Sequence, residues 1–211
     1  MYHILKIGSS YTENGKIEIF ASLDGEYANA NGTGYLYPRQ LNEHTKVKRI
    51  EDIHGWIGTK PFNFYGFPIS EKMKLLLEEF NLYEMSFLKT TVLFQEKKFD
   101  YYGWKISSEG FDKYVDFENS RFCQWKQEEK YTEESLKFNN LEEIIDYELE
   151  HDWWKWGFDK AVMKPNFKEI DCMGMPYPYG ILISERLKNA LEETNLTGFD
   201  ITPFPLEFEY L

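Results

Sequence analysis

The chain has 211 residues, 42% hydrophobic and 28% charged, which excludes an intrinsically disordered chain and suffices for one good core or two small lobes sharing one. A formal net charge of −12 repels nucleic acid and membrane phosphates, so neither is expected as a partner, and it attracts basic ones. No stretch approaches the ~18 apolar residues of a membrane span, and the opening MYHILKIGSS lacks a basic region followed by a long apolar run, so a cytoplasmic protein is expected.

Aromatic residues make up 18% of the chain, a supply that suits the half-buried surface of a β-rich core. Residues 2–7 and 17–23 alternate apolar and polar side chains and predict strands. Between them Asn14-Gly15 predicts a hairpin turn over Thr12 to Gly15. A loop of small residues follows from Asp24 to Gly34. Its Gly32-Thr33-Gly34 is not followed by Gly-Lys-Ser/Thr, so it makes no phosphate cradle. Residues 47–68 are mixed and aromatic, with Pro61 and Pro68 marking loop or edge strand. A helix over about 71–80 and an apolar run from Phe87 to Phe94 complete the first half.

The second half opens on a strand-like YYGWKIS at 101–107. Alternation over Tyr114 to Phe117 and Phe122 to Trp125 predicts further strand. A charged loop spans 126–135. Asn140 then caps a predicted helix from Leu141 to about Glu150, in which Leu141, Ile144, Ile145 and Leu149 are apolar at helical spacing. This segment is dense in carboxylates and runs into Trp153, Trp154 and Trp156. Residues 165–180 are irregular, and the strand-like end from Phe199 to Tyr210 is interrupted by Pro203 and Pro205.

One helix occurs twice. ISEKMKLLLEEFNL at 69–82 and ISERLKNALEETNL at 183–196 align without a gap, with nine of fourteen positions identical. Ser70 and Ser184 stand at the N-cap, and Glu71 and Glu185 follow where the helix dipole favours negative charge. Met73, Leu76, Leu77 and Phe80, and in the second copy Leu187, Ala190, Leu191 and Thr194, form an apolar stripe. Asn81 and Asn195 suit a left-handed C-terminal cap, and a strand is predicted after each helix. The paired glutamates 78–79 and 192–193 read as a solvated face. The expected fold is α+β and strand-rich, built on two similar amphipathic helix–strand units. A single domain is expected over 1–211, with pseudo-symmetric lobes over about 1–100 and 101–211.

No catalytic constellation stands out. The four histidines fit no zinc motif, and neighbouring Glu150, His151 and Asp152 point about 100° apart on a helix, so they do not grip one ion together. Asp116, Glu118, Asp152 and Asp159 are the carboxylates from which an acid/base pair would have to come. Cys123 and Cys172 form no CxxC and read as two reduced, buried thiols. The reading is therefore of a protein without catalysis, metal or cofactor. Its charge is uneven: residues 1–100 carry 13 acidic and 12 basic side chains, residues 101–211 carry 23 and 12.

The segments YYGWKI and YVDFENSRF within 101–122, and LISERLKNALEETNLTGFDITPF at 182–204, resemble one group of bacterial immunity proteins of polymorphic-toxin systems, formerly catalogued as a domain of unknown function. Asp116, Glu118 and Ser120 match the pattern of that group, and a local hydrogen-bonding role is expected for them. The resemblance implies a protein that binds a co-encoded toxin and protects the producing cell. A basic nuclease acting in the cytoplasm suits the acidic second half, which would occupy its substrate cleft. The expected interface is the segment 142–156. There Glu142, Asp146, Glu148, Glu150 and Asp152 would steer, and Trp153, Trp154 and Trp156 would anchor. The alternative expectation is a small-ligand-binding or sensor module with an aromatic pocket.

Overall fold

A computed structural model describes residues 1–7, 11–20, 46–47, 52–53, 57–59, 64–94, 97–107, 110–126, 129–130, 135–151, 155–175 and 180–211. In chain order the elements are β1 (Tyr2–Ile7), β2 (Tyr11–Phe20), β3 (Lys46–Val47), β4 (Ile57–Thr59), β5 (Phe64–Ser70), α1 (Glu71–Leu77), β6 (Met85–Phe94), β7 (Lys97–Ile106), β8 (Arg121–Lys126) and β9 (Glu129–Lys130). They continue as α2 (Leu141–Glu150), β10 (Lys155–Met163), β11 (Cys172–Met175), β12 (Gly180–Ser184), α3 (Glu185–Glu193), β13 (Phe199–Pro203) and β14 (Phe208–Tyr210). The strands form three sheets, ordered β11-β12-β1-β13, β14-β10-β8-β9 and β3-β2-β6-β7-β5-β4. The fold is α+β and strand-rich, and the repeated helix–strand unit is present twice.

Both repeat helices start as their sequences require. The Ser70 hydroxyl accepts the Met73 N–H at 3.1 Å, and the Ser184 hydroxyl accepts the Leu187 N–H at 3.1 Å. Met73 and Leu77 of α1 and Leu187 and Leu191 of α3 are buried in one cluster with Ile53, Ile69, Trp104, Cys172 and Ile183. The strands around the helices repeat as well. Ser70 lies opposite Tyr101 of β7, as Ser184 lies opposite Tyr2 of β1. Met85 lies opposite Ile106 of β7, as Phe199 lies opposite Ile7 of β1. Thus β5-β7-β6 and β12-β1-β13 are equivalent three-stranded units. The strands do not divide at residue 100: β1 pairs in the sheet of the second copy, and β7 in the sheet of the first.

Two carboxylates tie the units to each other. Asp171 accepts the Ser184 hydroxyl at 2.7 Å and so fixes the cap of α3. It also accepts the Asn81 N–H at 2.9 Å, from the turn that follows α1. Asp52 does the converse. It accepts the Ser70 hydroxyl at 2.7 Å, and the Thr197 N–H at 3.0 Å from the turn that follows α3. Each aspartate therefore holds its own unit's helix cap and the other unit's exit turn. The backbone repeats the pattern, since Ser70 N–H donates to the Asp52 carbonyl at 2.7 Å and Ser184 N–H to the Asp171 carbonyl at 2.8 Å. Burial by itself raises the Asp171 pKa, but the hydrogen bonds from Arg186, Ser184 and the Asn81 N–H outweigh it and leave the carboxyl below the usual range.

The β11-β12-β1-β13 sheet is the central layer. Side chains alternate along each strand, so Cys172, Ile181, Ile183 and Leu5 join the cluster around α1 and α3. Met173, Met175, Leu182 and Tyr2 face the opposite way, into a second cluster rich in phenylalanine. That second cluster is closed by Phe122 of β8, Phe158 of β10, Phe167 and Ile144 of α2.

Four local expectations are corrected. Thr12 to Gly15 make no hairpin turn but lie inside β2, whose register against β3 shifts between Tyr11 and Lys16; a glycine within a strand marks such an irregularity. Tyr114 to Phe117 are not a strand. They end a 3-10 turn over Phe111–Tyr114 and lead into a turn organised by Asp116, whose carboxylate accepts the Glu118 N–H at 3.1 Å. Asn195 takes the left-handed conformation at φ 52°, but its counterpart Asn81 does not; Glu84, φ 43°, corresponds instead to Gly198, φ 98°. Asn81 is instead drawn to Asp171. In α2, Ile144 is buried, whereas Ile145 and Leu149 are exposed. The predicted strand over residues 21–23 and the loop from Asp24 to Gly34 lie outside the described residues.

The Asp171 clamp yields a first prediction. Replacing Asp171 by Ala leaves the Asn81 N–H and the Ser184 hydroxyl without their acceptor and is expected to cost about 2–4 kcal/mol in urea unfolding. Because the folded-state pKa of Asp171 is depressed, its contribution is complete above the unfolded value of about 3.9 and is lost as the pH falls through the folded value. In Asp171→Asn this part of the acid limb of the stability profile is expected to flatten; an unchanged limb would remove the clamp from the account of acid unfolding.

Candidate functional site

The candidate site is the outer face of α2. Asn140 is its N-cap, accepting the Glu143 N–H at 2.9 Å, and Glu143 reaches back to accept the Asn139 N–H at 2.8 Å. This reciprocal pair satisfies two donors at the helix start, and the Asn139 hydrogen bonds hold the Glu143 carboxyl below the usual range. At the other end the Glu148 carboxylate accepts the Trp156 N–H at 3.1 Å, which ties the last turn of α2 to β10. Tyr147 meets Phe138 edge-on at 5.4 Å and stacks on His151 at 4.0 Å.

Only Ile144 of α2 is buried, at 1% exposure. On a helix each residue advances about 100°. Glu142, Asp146 and Leu149 therefore fall nearly opposite Ile144, Ile145 and Glu150 lie about 100–120° round from it on either flank, and all five are exposed. The three acids stand at i, i+4 and i+8, spaced by roughly 6 Å along the axis. Among the described residues no cation pairs with any of them. The segment LEEIIDYELE supplies no basic side chain of its own. The result is a local negative field rather than a network of ion pairs.

The other residues expected at this interface are placed differently. Glu148 is half-buried and engaged with the Trp156 backbone. Trp156 turns inward and packs against Phe122 at 5.8 Å and Phe158 at 5.5 Å, because β10 brings it over the phenylalanine cluster. Asp152, Trp153 and Trp154 lie outside the described residues. Sequence reasoning missed the exposure of Ile145 and Leu149. The sequence holds two apolar rows, Leu141, Ile144 and Tyr147 at i, i+3, i+6 and Ile145 with Leu149 at i, i+4, and its spacing does not say which of them packs inward.

Of the carboxylates considered for acid/base work, Asp152 lies outside the described residues, and Asp116 and Asp159 are engaged in hydrogen bonds of their own. Asp116 organises its own turn, accepting the Asn119 amide at 2.7 Å. Ser120 is buried and exchanges hydrogen bonds with the Val162 backbone, accepting the N–H at 3.0 Å. Asp159 accepts the Ser135 hydroxyl. Among the described residues no group of three His, Cys, Asp or Glu side chains is placed to hold a metal ion. Cys123 and Cys172 are buried and form no disulfide, and burial pushes the Cys172 thiol well up.

Comparison with protein-family models, curated proteins and solved structures found no match. No helix of the described residues is long and apolar enough to cross a membrane. An open cleft of about 660 Å³ lies at the Asp171 clamp and is lined by Tyr2, Asn81, Lys168, Arg186 and Tyr210 among others. Its aromatic lining is limited to Tyr2 and Tyr210. The Tyr2 hydroxyl is itself engaged with the core backbone, 2.8 Å from the Phe167 carbonyl. Arg186 donates to Asp171 from Nε at 3.1 Å and stands over the Phe80 ring.

Because Glu142, Asp146 and Glu150 make no hydrogen bond or ion pair among the described residues, their joint replacement by Gln, Asn and Gln is expected to leave stability within about 0.5 kcal/mol, with any change a gain from relieved like-charge repulsion at i, i+4. Asn140→Ala is expected to cost about 1 kcal/mol by loss of the cap. Urea unfolding of the two variants distinguishes a surface free to serve a partner from one the fold requires: a loss above about 2 kcal/mol in the triple variant would assign these acids a structural role.

Proposed function

We propose that the chain is a non-catalytic immunity protein that binds and neutralises a cognate protein toxin. The single observation that carries this reading is the outer face of α2, where three acids without a described counter-charge stand together on an exposed helix. A fold seldom keeps a row of like charges at i, i+4 for its own stability, since each such pair is mildly destabilising. An arriving basic surface relieves that repulsion, and the surrounding field speeds the encounter. The excess of acids in residues 101–211 extends the field beyond α2. The resemblance of the 101–122 and 182–204 segments to toxin-immunity proteins supports the same reading. On it the toxin is basic and acts in the cytoplasm, a nuclease whose substrate cleft the acidic face occupies in place of phosphates. Nucleic acid and membrane are not partners of the chain itself.

The test is affinity capture of the tagged protein from its native cells under conditions in which toxin is produced, at low and high salt. The expected outcome is a stoichiometric basic protein that is recovered less well at high salt and that arrests growth unless this chain is co-expressed. A captured protein that arrests growth equally with and without this chain, or no stoichiometric protein at all, would overturn the reading.

A further inference from the structure

The apolar side chains on α2 divide between two directions. Ile144 points into the phenylalanine cluster, and Leu141 and Tyr147 flank it half-buried. Ile145 and Leu149 point to solvent, at 46% and 56% exposure. They are four residues apart and so stack one turn above the other on the helix surface. The helix has no need of them there, since its contact with the core is made by the Ile144 row and its ends are held by Asn140 and by the Glu148 link to β10. Single exposed aliphatic residues carry no message, but two adjacent ones rimmed by charge do. Glu142, Asp146 and Glu150 run along one side of the pair. An apolar centre with a charged rim is the layout of a protein interface.

We propose that Ile145 and Leu149 are the anchor of the toxin contact, seated in an apolar groove of a basic protein whose Lys and Arg side chains meet Glu142, Asp146 and Glu150. The inference rests on the neutralising function proposed above. The occupant follows from charge: a face with three acids that no cation pairs among the described residues rejects a second acidic copy of this chain and selects a cationic rim. The mode is helix-in-groove, with anchors at i and i+4. Trp156, the tryptophan of the expected interface that the structure describes, is taken up by Phe122 and Phe158 and leaves the anchoring role to the aliphatic pair. The two groups of side chains then have separate kinetic duties. Buried anchors govern dissociation, and rim charges govern association and its dependence on salt.

The experiment measures association and dissociation rates between the co-captured partner and three forms of the full-length protein at two salt concentrations. Ile145→Ala with Leu149→Ala is expected to dissociate at least tenfold faster, with the association rate and its salt dependence unchanged. The triple amide variant, Glu142→Gln, Asp146→Asn and Glu150→Gln, is expected to associate more slowly with a flattened salt dependence. Leu75→Ala, which alters an exposed leucine on α1, is the control and is expected to change neither rate. Circular dichroism and melting temperature confirm that each variant is folded. A complex that forms normally and dissociates at the wild-type rate after the double alanine substitution would overturn the anchor and leave the neutralising function standing. Failure of the wild-type protein to form any complex would overturn both.

Discussion

The reciprocal pair of aspartate clamps is the constraint on which the arrangement of the two repeat units depends. A helix start leaves backbone donors without partners, and a serine cap answers part of that need only if the serine itself is held in place. Asp52 and Asp171 hold the two serines. Because each also accepts from the other unit's exit turn, local capping and long-range docking are the same set of hydrogen bonds. Buried apolar contact between α1 and α3 supplies attraction without direction. The carboxylates supply the direction, and charge-assisted hydrogen bonds are the stronger kind. Arg186, itself exposed, neutralises Asp171 at the edge of the cleft, so the carboxylate need not be buried unpaired.

From this frame the position of α2 follows. The central sheet presents one face to the repeat helices and the other to the phenylalanine cluster. The cluster needs a lid, and β8, β10 and α2 provide it. A lid helix on the outside of such a cluster buries a narrow row and exposes the rest of its surface. Ile144 is enough for the buried row, since it meets a cluster already filled by large rings. The outward face is thereby released from packing constraints, and its acids and aliphatic residues are free to be selected for contact with a partner. The rigidity that the proposed binding surface needs comes from the ends, through the Asn140 cap and the Glu148 hydrogen bond to Trp156. A surface held in this way loses little conformational freedom on binding.

How much of this was legible in the sequence varies with the range of the interactions. The caps at Ser70, Asn140 and Ser184 and the helices after them follow from contacts within four residues, and the sequence contains all of those partners. The clamp aspartates were not found, although a signal existed. Asp52 precedes Ser70 by 18 residues and Asp171 precedes Ser184 by 13, so an ungapped alignment of the helices misses them. Allowing the gap aligns Asp52-Ile53-His54-Gly55 with Asp171-Cys172-Met173-Gly174, and Tyr65-Gly66 with Tyr179-Gly180 ahead of the capped serines. In the candidate site the acidic row was legible, because charged side chains on a short helix belong at the surface. The direction of Trp156 was not, because a tryptophan suits a core and an interface equally.

The sequence by itself determined where the helices start, that one helix–strand unit occurs twice, and that the acids gather in the second half, since each of these rests on local chemistry or on composition. Tertiary structure alone decided that β1 pairs with the second unit and β7 with the first, that each aspartate crosses to the other unit, and that Ile144 faces inward while Ile145 and Leu149 face out. Those outcomes depend on which of several chemically similar side chains meets a given neighbour. That is settled by the packing of residues far apart in the chain and leaves no trace in local periodicity.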